Sequence, residues 1–264
     1  EGVVTADPKT GARTLVPATQ VVLAASPLET AKLLLTSPTI AKHIERKKVG
    51  RAIADHLALG FLAVLRGQEK LAERAMPNSP PAFVPRFVNL GKKTKRSYRG
   101  GFLIELQGPY PAATLGPENL ATLGIEPGEA AATLYYSVHA LGELGPQPCR
   151  ALKFDAKGEL NLDWRGTREE LRMADEMRET CLDLARTLAG GDGEIFALQD
   201  SLAPTSVLHE AATCPLGEVT DRHGAVHGIT GLHLADASVL PTATDRYPTL
   251  TVLALASRLA ERLA

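Results

Sequence analysis

The residues best suited to chemistry lie near the end of the chain, in the stretches HEAATCPLG and YPTLTVLALASRL. The first begins with His209, whose imidazole can take up a proton near neutral pH because its ordinary pKa is about 6.5. The second begins with Tyr247 and Pro248, and proline suits the first position of a helix, where no N–H donor is needed. On residue type alone, His209 is either a general base or a packed structural histidine.

Two other histidines, His223 and His227, are four residues apart, which is the spacing of some helical metal sites. Gly224 and Gly228 interrupt them, and the segment has the composition of a hairpin turn. We therefore predict no metal site.

Three cysteines, an odd number at wide spacing, predict neither a disulfide framework nor a zinc site. His139 shares one face of a predicted strand with Tyr135 and Ser137, because side chains two residues apart point the same way. That face either lines a ligand pocket or faces solvent.

Bulk composition excludes several classes of protein. The 264 residues carry a net charge of −1 with an isoelectric point near 6.8, whereas a nucleic-acid binder needs a clustered positive excess. The longest apolar run, residues 250–256, is far short of the roughly 20 residues that a membrane-spanning helix requires. The basic stretch GKKTKRSYRG is interpreted as a solvated loop or, alternatively, as a contact for an anionic ligand.

The first part of the chain has the pattern of an α/β fold. EGVVTADPKTGARTLV predicts two strands joined by a turn at Asp7-Pro8. Val21–Leu23 are a short apolar strand of the kind that is buried on both faces in a parallel sheet. Pro27 then begins a helix that runs to about Leu35. Because a domain rarely begins within a hairpin, we expect the chain to be a piece of a larger polypeptide.

The middle of the chain predicts an antiparallel sheet followed by one long helix. The strand-length runs GFLAVLRG, GFLIELQG and ATLYYSVHA are separated by loops rich in Gly and Pro, and ALKFDAKGELNLDW has the pattern of a hairpin. Thr167 and Glu170 make a capping box, after which apolar residues recur at helical spacing until Gly190. The apolar stripe of this helix is predicted to face the core.

The last segment returns to the style of the first. GLHLADAS is a predicted buried strand with a loop, and Pro248 opens a final helix. We therefore predict an α/β (α+β) fold in which the two ends of the chain build one domain and the middle builds a second.

Five segments stand in an order that resembles one protein family. They are VVLAASPLETAKLLLTS, VGRAIADH, HEAATCPLG, VHGITGLHLADASVLPT and YPTLTVLALASRLAERL. Together they resemble the C-terminal half of the glucose–methanol–choline (GMC) oxidoreductases, which are flavoproteins; the match covers both ends of the chain well and the middle poorly. The resemblance implies a partial Rossmann-like FAD-binding domain, residues 1–56 and 200–264, and an inserted antiparallel-sheet substrate-binding domain, residues 57–199.

The resemblance also implies a partner for this chain. The Gly-rich dinucleotide motif of the family lies before the point where the chain begins, and no G-x-G-x-x-G pattern occurs within it. An N-terminal FAD-binding segment or subunit is therefore expected to hold the ADP half of the cofactor. The chain would then be a proteolytic product, a subunit or a truncated polypeptide.

The resemblance assigns roles to individual residues. His209 matches the histidine that takes the hydroxyl proton while hydride passes to flavin N5. Asp236 and Ala237 match residues that approach the pyrophosphate and ribityl chain, largely through backbone groups; without the resemblance, Asp236 is a turn or cap residue. The helix behind Pro248 and Thr249 would point its N-terminal amides at the flavin C2 carbonyl, which gains negative charge on reduction.

His56, in VGRAIADH, matches a family motif near the flavin. Tyr247 departs from the family, which usually has Asn or His before this proline. A phenol titrates near pH 10 and is a weak base at neutral pH, although it can donate a hydrogen bond to a substrate oxygen. Either Tyr247 orients the substrate hydroxyl for His209 or the catalytic pair is degenerate, and a shifted alignment would make Asp245 the polar partner.

Two functional hypotheses follow from these implications. The first is an FAD-dependent oxidoreductase that oxidises a hydroxyl group of a small molecule, such as a sugar or sugar conjugate, with His209 as base. The second is a flavoprotein or subunit of the same fold with a lyase-like or assembly role, marked by Tyr247.

Overall fold

A computed structural model describes residues 2–76, 79–86, 100–201, 209–243 and 246–264. Most of the basic stretch GKKTKRSYRG and the alternative partner Asp245 lie outside these residues.

The described chain forms eleven strands and five α-helices. The strands are β1 (Gly2–Ala6), β2 (Arg13–Pro17), β3 (Val21–Leu23), β4 (Ile53–Leu65), β5 (Ala82–Arg86), β6 (Phe102–Pro111), β7 (Leu134–Gln147), β8 (Arg150–Phe154), β9 (Leu160–Trp164), β10 (Glu194–Ser201) and β11 (Leu232–Leu234). The helices are α1 (Pro27–Thr36), α2 (Glu69–Ala72), α3 (Pro117–Thr122), α4 (Arg168–Ala189) and α5 (Thr249–Leu263), with 3-10 turns at Arg46–Lys48, Ala112–Thr114, Ala130–Ala132 and Ala237–Val239.

The predicted antiparallel sheet is confirmed as a five-stranded sheet in the order β10-β4-β7-β6-β5. The long strands β4 and β7 pair along almost their whole length, with Gly60 opposite His139, and β6 continues the sheet with Glu105 opposite the same histidine. Because side chains alternate along each strand, these residues lie on one face of the sheet. The predicted hairpin that follows is also confirmed, as β8–β9.

The opposite face of the sheet carries the main core, which α4 covers. Met173, Met177 and Cys181 of α4 are fully buried against Val138 and other apolar residues of β4, β6 and β7. Each such side chain stabilises the fold by about 1.5–3 kcal/mol when it leaves water. Gly142 of β7 allows this packing, since a Cβ at that position would lie 2.5 Å from the sulfur of Met177. The predicted capping box of Thr167 and Glu170 is confirmed, and so is the core-facing stripe of α4, except at its predicted first residue, Leu171, which is 47% exposed.

One buried ion pair fixes the start of α4 against the sheet. Arg150 is fully buried, and its guanidinium donates to both carboxylate oxygens of Glu170, at 2.8 and 2.7 Å. The remaining guanidinium donors reach the carbonyl oxygens of Ile53, Arg165 and Gly145. A buried charge is costly unless it is paired and hydrogen-bonded, and here every donor has an acceptor.

The two ends of the chain meet in a parallel pair of strands, β3 and β11, with Val21 opposite Leu232. The predicted strand and the following helix α1 are confirmed. The prediction that Val21–Leu23 is buried on both faces is wrong, because Val22 is 45% exposed. The reason is that, in the described chain, β11 is the only strand beside β3. The domain boundaries at residues 56 and 199 remain predictions, and both fall within strands of the five-stranded sheet.

The last helix presents an apolar surface. Pro248 was predicted at the first helical position; it lies one residue earlier, at the N-cap of α5, and its carbonyl accepts the N–H of Val252 at 3.0 Å. Leu250 and Leu253 are 79% and 61% exposed. The predicted β1–β2 hairpin is confirmed and is likewise exposed along both strands. Among the described residues, none of the helices combines the length and hydrophobicity needed to cross a membrane.

Candidate active site

The strand register brings the two histidines His56 and His209 together. Ala54 and Ala211 form an antiparallel bridge, with hydrogen bonds of 3.1 and 2.8 Å in the two directions. In an antiparallel ladder, residues two positions beyond a bridge on one strand and two positions before it on the other lie opposite each other. His56 and His209 occupy those positions, and their Nδ1 atoms are 2.9 Å apart.

Tyr247 lies on the other side of His209, at the start of α5. The two rings meet edge to face, with centroids 5.5 Å apart and an angle of 85° between their planes. The phenol hydroxyl donates a short hydrogen bond to Oε2 of Glu105. Burial, and secondly the neighbouring Glu105 carboxylate, raise the pKa of Tyr247 above its ordinary value, so the phenol stays protonated at neutral pH.

Glu105 was not singled out from the sequence, yet it lies at the centre of the site. It is 9% exposed, and it receives hydrogen bonds from Tyr247 and from the side-chain amide of Gln107, the latter at 2.7 Å. A signal for it exists in the strand GFLIELQG, where one carboxylate interrupts an apolar run. A buried charged residue in such a position is informative because burying it is costly.

The face of β7 that carries His139 is the face on which Glu105 lies. Glu105 and His139 are directly opposite each other on β6 and β7. Burial lowers the pKa of His139, while the negative charge of Glu105 acts in the opposite direction. Burial also lowers the pKa of His209. Both imidazoles are therefore biased toward the neutral form that can accept a proton.

The carboxylate of Asp236 is used within the protein. Its Oδ1 accepts the backbone N–H of Ser238 at 2.9 Å, which makes Asp236 the cap of a 3-10 turn, and its Oδ2 accepts the hydroxyl of Thr30 at 2.5 Å. The backbone N–H groups of Asp236 and Ala237 have no acceptor in the described part of the chain. The side chain thus holds the turn, and the assignment of Asp236 and Ala237 to the cofactor remains a prediction.

The N-terminus of α5 completes the site. Pro248 offers no side-chain cap, and the N–H groups of Thr249, Leu250 and Thr251 have no acceptor within the residues that the structure describes. Such a helix start carries a partial positive charge that stabilises an anion. Val252 of this helix packs in one small cluster with Ala237 and with the residues of the Ala54–Ala211 bridge.

Two non-glycine residues of the described chain adopt a positive φ, and both lie in the segments that build this region. Ser26, which precedes α1, has φ of 75°, and Ala212, which follows the bridge, has φ of 64°. Thr213, the next residue, bonds through its hydroxyl to the carbonyl of Pro27 at 2.8 Å, so the two strained segments touch. Strain of this kind costs about 1–3 kcal/mol per residue and persists where the surrounding structure imposes it.

Other candidate residues lie elsewhere. His223 lies in the turn after Asp221 and accepts a hydrogen bond from Arg222 at 2.9 Å. Within the described ranges, no group of three or more His, Cys, Asp or Glu side chains is arranged to hold a metal ion. Burial raises the pKa of Cys214 to about 12, which makes it a packed, unreactive thiol.

Comparisons with known proteins indicate the family that this chain resembles. A family model described as GMC oxidoreductase, covering the C-terminal part of that family, matches residues 152–256. An oxygen-dependent choline dehydrogenase of Burkholderia pseudomallei (strain 1710b) is 33% identical over 114 residues, which are 39% of this chain and 20% of the relative. The corresponding protein of Paraburkholderia xenovorans (strain LB400) is 30% identical over 113 residues, with the same coverage. The chain thus matches only a fifth of the length of these curated relatives.

Solved structures agree on the fold. A mutated formate oxidase of Aspergillus oryzae RIB40, solved in work on FAD modification, superposes with a TM-score of 0.59 at 18% identity over 98% of this chain and 56% of that chain. The resemblance drawn from the sequence is therefore confirmed over residues 152–256, which match the C-terminal part of the GMC oxidoreductases. FAD is the cofactor that this match indicates.

Proposed function

We propose that this chain forms the substrate-facing part of an FAD-dependent oxidoreductase that oxidises a hydroxyl group of a small molecule. The observation that carries the proposal is the meeting of His209 and Tyr247, ring to ring, at the uncapped start of α5. A proton acceptor and an electropositive helix end lie side by side there, as hydride removal from an alcohol requires.

The residues of the site fit a flavin. The amides at the start of α5 are suited to a carbonyl that becomes negative on reduction, and the outward N–H groups of Asp236 and Ala237 are suited to phosphate or ribityl oxygens. When bound, FAD accepts a hydride from the carbon that bears the hydroxyl group. His209 would hold the hydroxyl proton, and its lowered pKa keeps it unprotonated and ready for this step.

Tyr247 would shape the pocket rather than act as a base. With its proton directed to Glu105, its oxygen presents a lone pair to a ligand. Glu105 makes this side of the site acidic, which favours a hydroxyl substrate with further hydrogen-bond donors, such as a sugar, or with a cationic group, as in choline.

The exposed apolar surfaces favour an N-terminal FAD-binding segment or subunit as the structural partner. Leu250 and Leu253 of α5 and the apolar residues of the β1–β2 hairpin are exposed, and contiguous surfaces of this kind mark association sites. The amino acids that bind the ADP half of the cofactor would belong to this partner.

The test uses the full-length protein loaded with FAD, mixed anaerobically with choline, glucose, methanol or formate in a stopped-flow spectrometer. We expect at least one alcohol to bleach the oxidised flavin band. His209→Gln should slow this reduction about 10²–10⁴-fold, the usual contribution of a positioned base. The matched control is His223→Gln, which removes a titratable imidazole from an exposed turn and should leave the rate unchanged.

Equal reduction rates in the wild-type protein and His209→Gln would contradict the assigned base. A protein that binds FAD but is reduced by no alcohol would instead favour the second hypothesis, a lyase-like or assembly role, to which the replacement of Asn or His by Tyr247 points.

A further inference from the structure

His56 and His209 form one hydrogen bond between their Nδ1 atoms. Their Nδ1 atoms are 2.9 Å apart, a hydrogen-bond distance, and the ring planes stand at 87° to each other. Each Nδ1 either carries a proton or offers a lone pair. One histidine therefore donates and the other accepts, and the choice decides which nitrogen of His209 is basic.

We propose that His56 is a positioning residue that accepts this hydrogen bond, and so holds His209 in the Nδ1–H tautomer with its basic lone pair on Nε2. The proposal rests on the function proposed above and extends it. In the opposite arrangement the Nδ1 lone pair of His209 would point at His56 and its Nε2 would carry the proton. His209 would then have no free lone pair with which to take a substrate proton.

The surroundings hold this pair rigidly. The Ala54–Ala211 bridge sets the two residues opposite each other, and His56 is 1% exposed. The backbone N–H of His56 also donates to Oδ1 of Asp55 at 2.7 Å, which fixes the main chain at this residue. Because His56 is buried, its imidazole cannot turn away from His209 without disturbing the packing around it.

The same hydrogen bond serves both states of the proton transfer. Before the reaction, neutral His209 donates its Nδ1–H to His56. When Nε2 takes the hydroxyl proton, the Nδ1–H remains in place and becomes a stronger, charge-assisted donor to the same lone pair. No proton has to leave the pair, and the role is that of the residue that orients a catalytic histidine in other enzymes.

The tautomer can be read directly by ¹⁵N NMR. Full-length protein with bound FAD is labelled with ¹⁵N-histidine, and the signals of His209 are identified as those missing from His209→Gln. The proposal expects a protonated Nδ1 and a lone-pair Nε2 in the wild-type protein. A protonated Nε2 with a lone-pair Nδ1 would overturn it, whether or not the protein oxidises an alcohol.

Two variants of His56 distinguish the effect of losing its hydrogen-bond acceptor from the effect of changing the size of its side chain. His56→Leu removes the acceptor, whereas His56→Asn keeps an acceptor oxygen close to the position of Nδ1. We expect the first to slow flavin reduction by an alcohol about 10–100-fold, as loss of an orienting partner does, and to mix the two tautomers of His209 in the NMR spectrum. The second should restore most of the rate and the wild-type ¹⁵N pattern.

The outcomes distinguish this inference from the proposed function. If the wild-type protein oxidises an alcohol and His56→Leu reacts at the same rate with FAD bound, the positioning role is wrong and the function stands. If His209 shows the expected tautomer but no alcohol reduces the flavin, the positioning role stands and the function is wrong. Bound FAD is measured for each variant by its absorbance, so a loss of cofactor is not mistaken for either result.

Discussion

Two polar clusters of this chain each contain a buried glutamate and behave differently. At the start of α4, the Arg150 guanidinium gives every donor to a protein acceptor, and the pair with Glu170 is closed to solvent. At the start of α5, the cluster of His209, Tyr247 and Glu105 leaves Tyr247 44% exposed and the helix amides without acceptors in the described chain.

The difference shows what distinguishes a structural joint from a site. The Arg150 guanidinium has no hydrogen-bond donor left for a ligand, so this cluster can only stabilise the fold. In the second cluster the Tyr247 hydroxyl is bonded to Glu105, and the N–H groups at the start of α5 have no acceptor in the described chain. The four predictions below test this contrast, from the largest expected effect to the smallest.

Replacing Arg150, the cation of the buried pair with Glu170, should have the largest effect on stability. Arg150→Met leaves the Glu170 carboxylate buried without its partner, and breaking such a pair costs about 3–5 kcal/mol. The measurement is denaturant unfolding of the full-length protein. Arg150→Met combined with Glu170→Gln, which removes the stranded charge and keeps the capping box, should recover part of the loss. A cost below about 1 kcal/mol for the single variant would place Arg150 among ordinary surface pairs.

Loss of the hydroxyl that holds Asp236 should affect both stability and cofactor binding. Thr30→Val removes a buried hydrogen bond to the Asp236 carboxylate, at a cost of about 1–3 kcal/mol. Because Asp236 caps the turn that presents the free N–H groups, FAD affinity should fall as well, measured by fluorescence titration. Thr133→Val, which removes an equally buried hydroxyl that donates to the carbonyl of Glu129, should lower stability without changing FAD affinity.

Removing only the phenol oxygen at the site should change substrate binding more than the chemical step. Tyr247→Phe deletes the hydrogen bond to Glu105. We expect substrate to bind more weakly as a result, with a Kd raised about tenfold. Stopped-flow reduction at several substrate concentrations separates this Kd from the limiting rate. Tyr110→Phe, whose hydroxyl bonds to the carbonyl of Ser79, is the matched control and should leave both unchanged. A fall in the limiting rate alone would instead make Tyr247 part of the proton transfer.

The pH dependence of flavin reduction should be the mildest effect. Because burial lowers the pKa of His209, the base form persists into acid, and the rate should rise to its plateau below the ordinary histidine value of about 6.5. Tyr247 faces the same space and its pKa is raised, so it should cause no alkaline loss up to about pH 10. His56 contacts His209, and Glu105 contacts Tyr247. The pH profile of His56→Asn would show whether the fall in rate at acid pH belongs to the pair of histidines. A fall in rate that already begins above pH 7 as the pH is lowered would contradict the lowered pKa of His209.

Much of the local structure follows from short-range patterns. The capping box, the β8–β9 hairpin and the helix behind Pro248 depend on neighbouring residues, and the structure forms all three, with α5 beginning one residue later than predicted. The ordered motifs also carried the resemblance to the GMC oxidoreductases, and the family model confirms it over residues 152–256. The burial of Val21–Leu23 was predicted wrongly, since burial depends on what covers a strand rather than on the strand itself.

The composition of the site was decided by the tertiary structure. His56 meets His209 across 153 residues, and Tyr247 meets Glu105 across 142. Contacts between residues so distant in sequence depend on strand register, as in the Ala54–Ala211 bridge, and on the face of the sheet from which each side chain projects. A register shift of one residue would move the side chains of a strand to the opposite face. The sequence supplied an imidazole, a phenol and a lone carboxylate in an apolar strand. Only the folded sheet could place them within hydrogen-bond reach of one another, because no local pattern encodes a distance between strands.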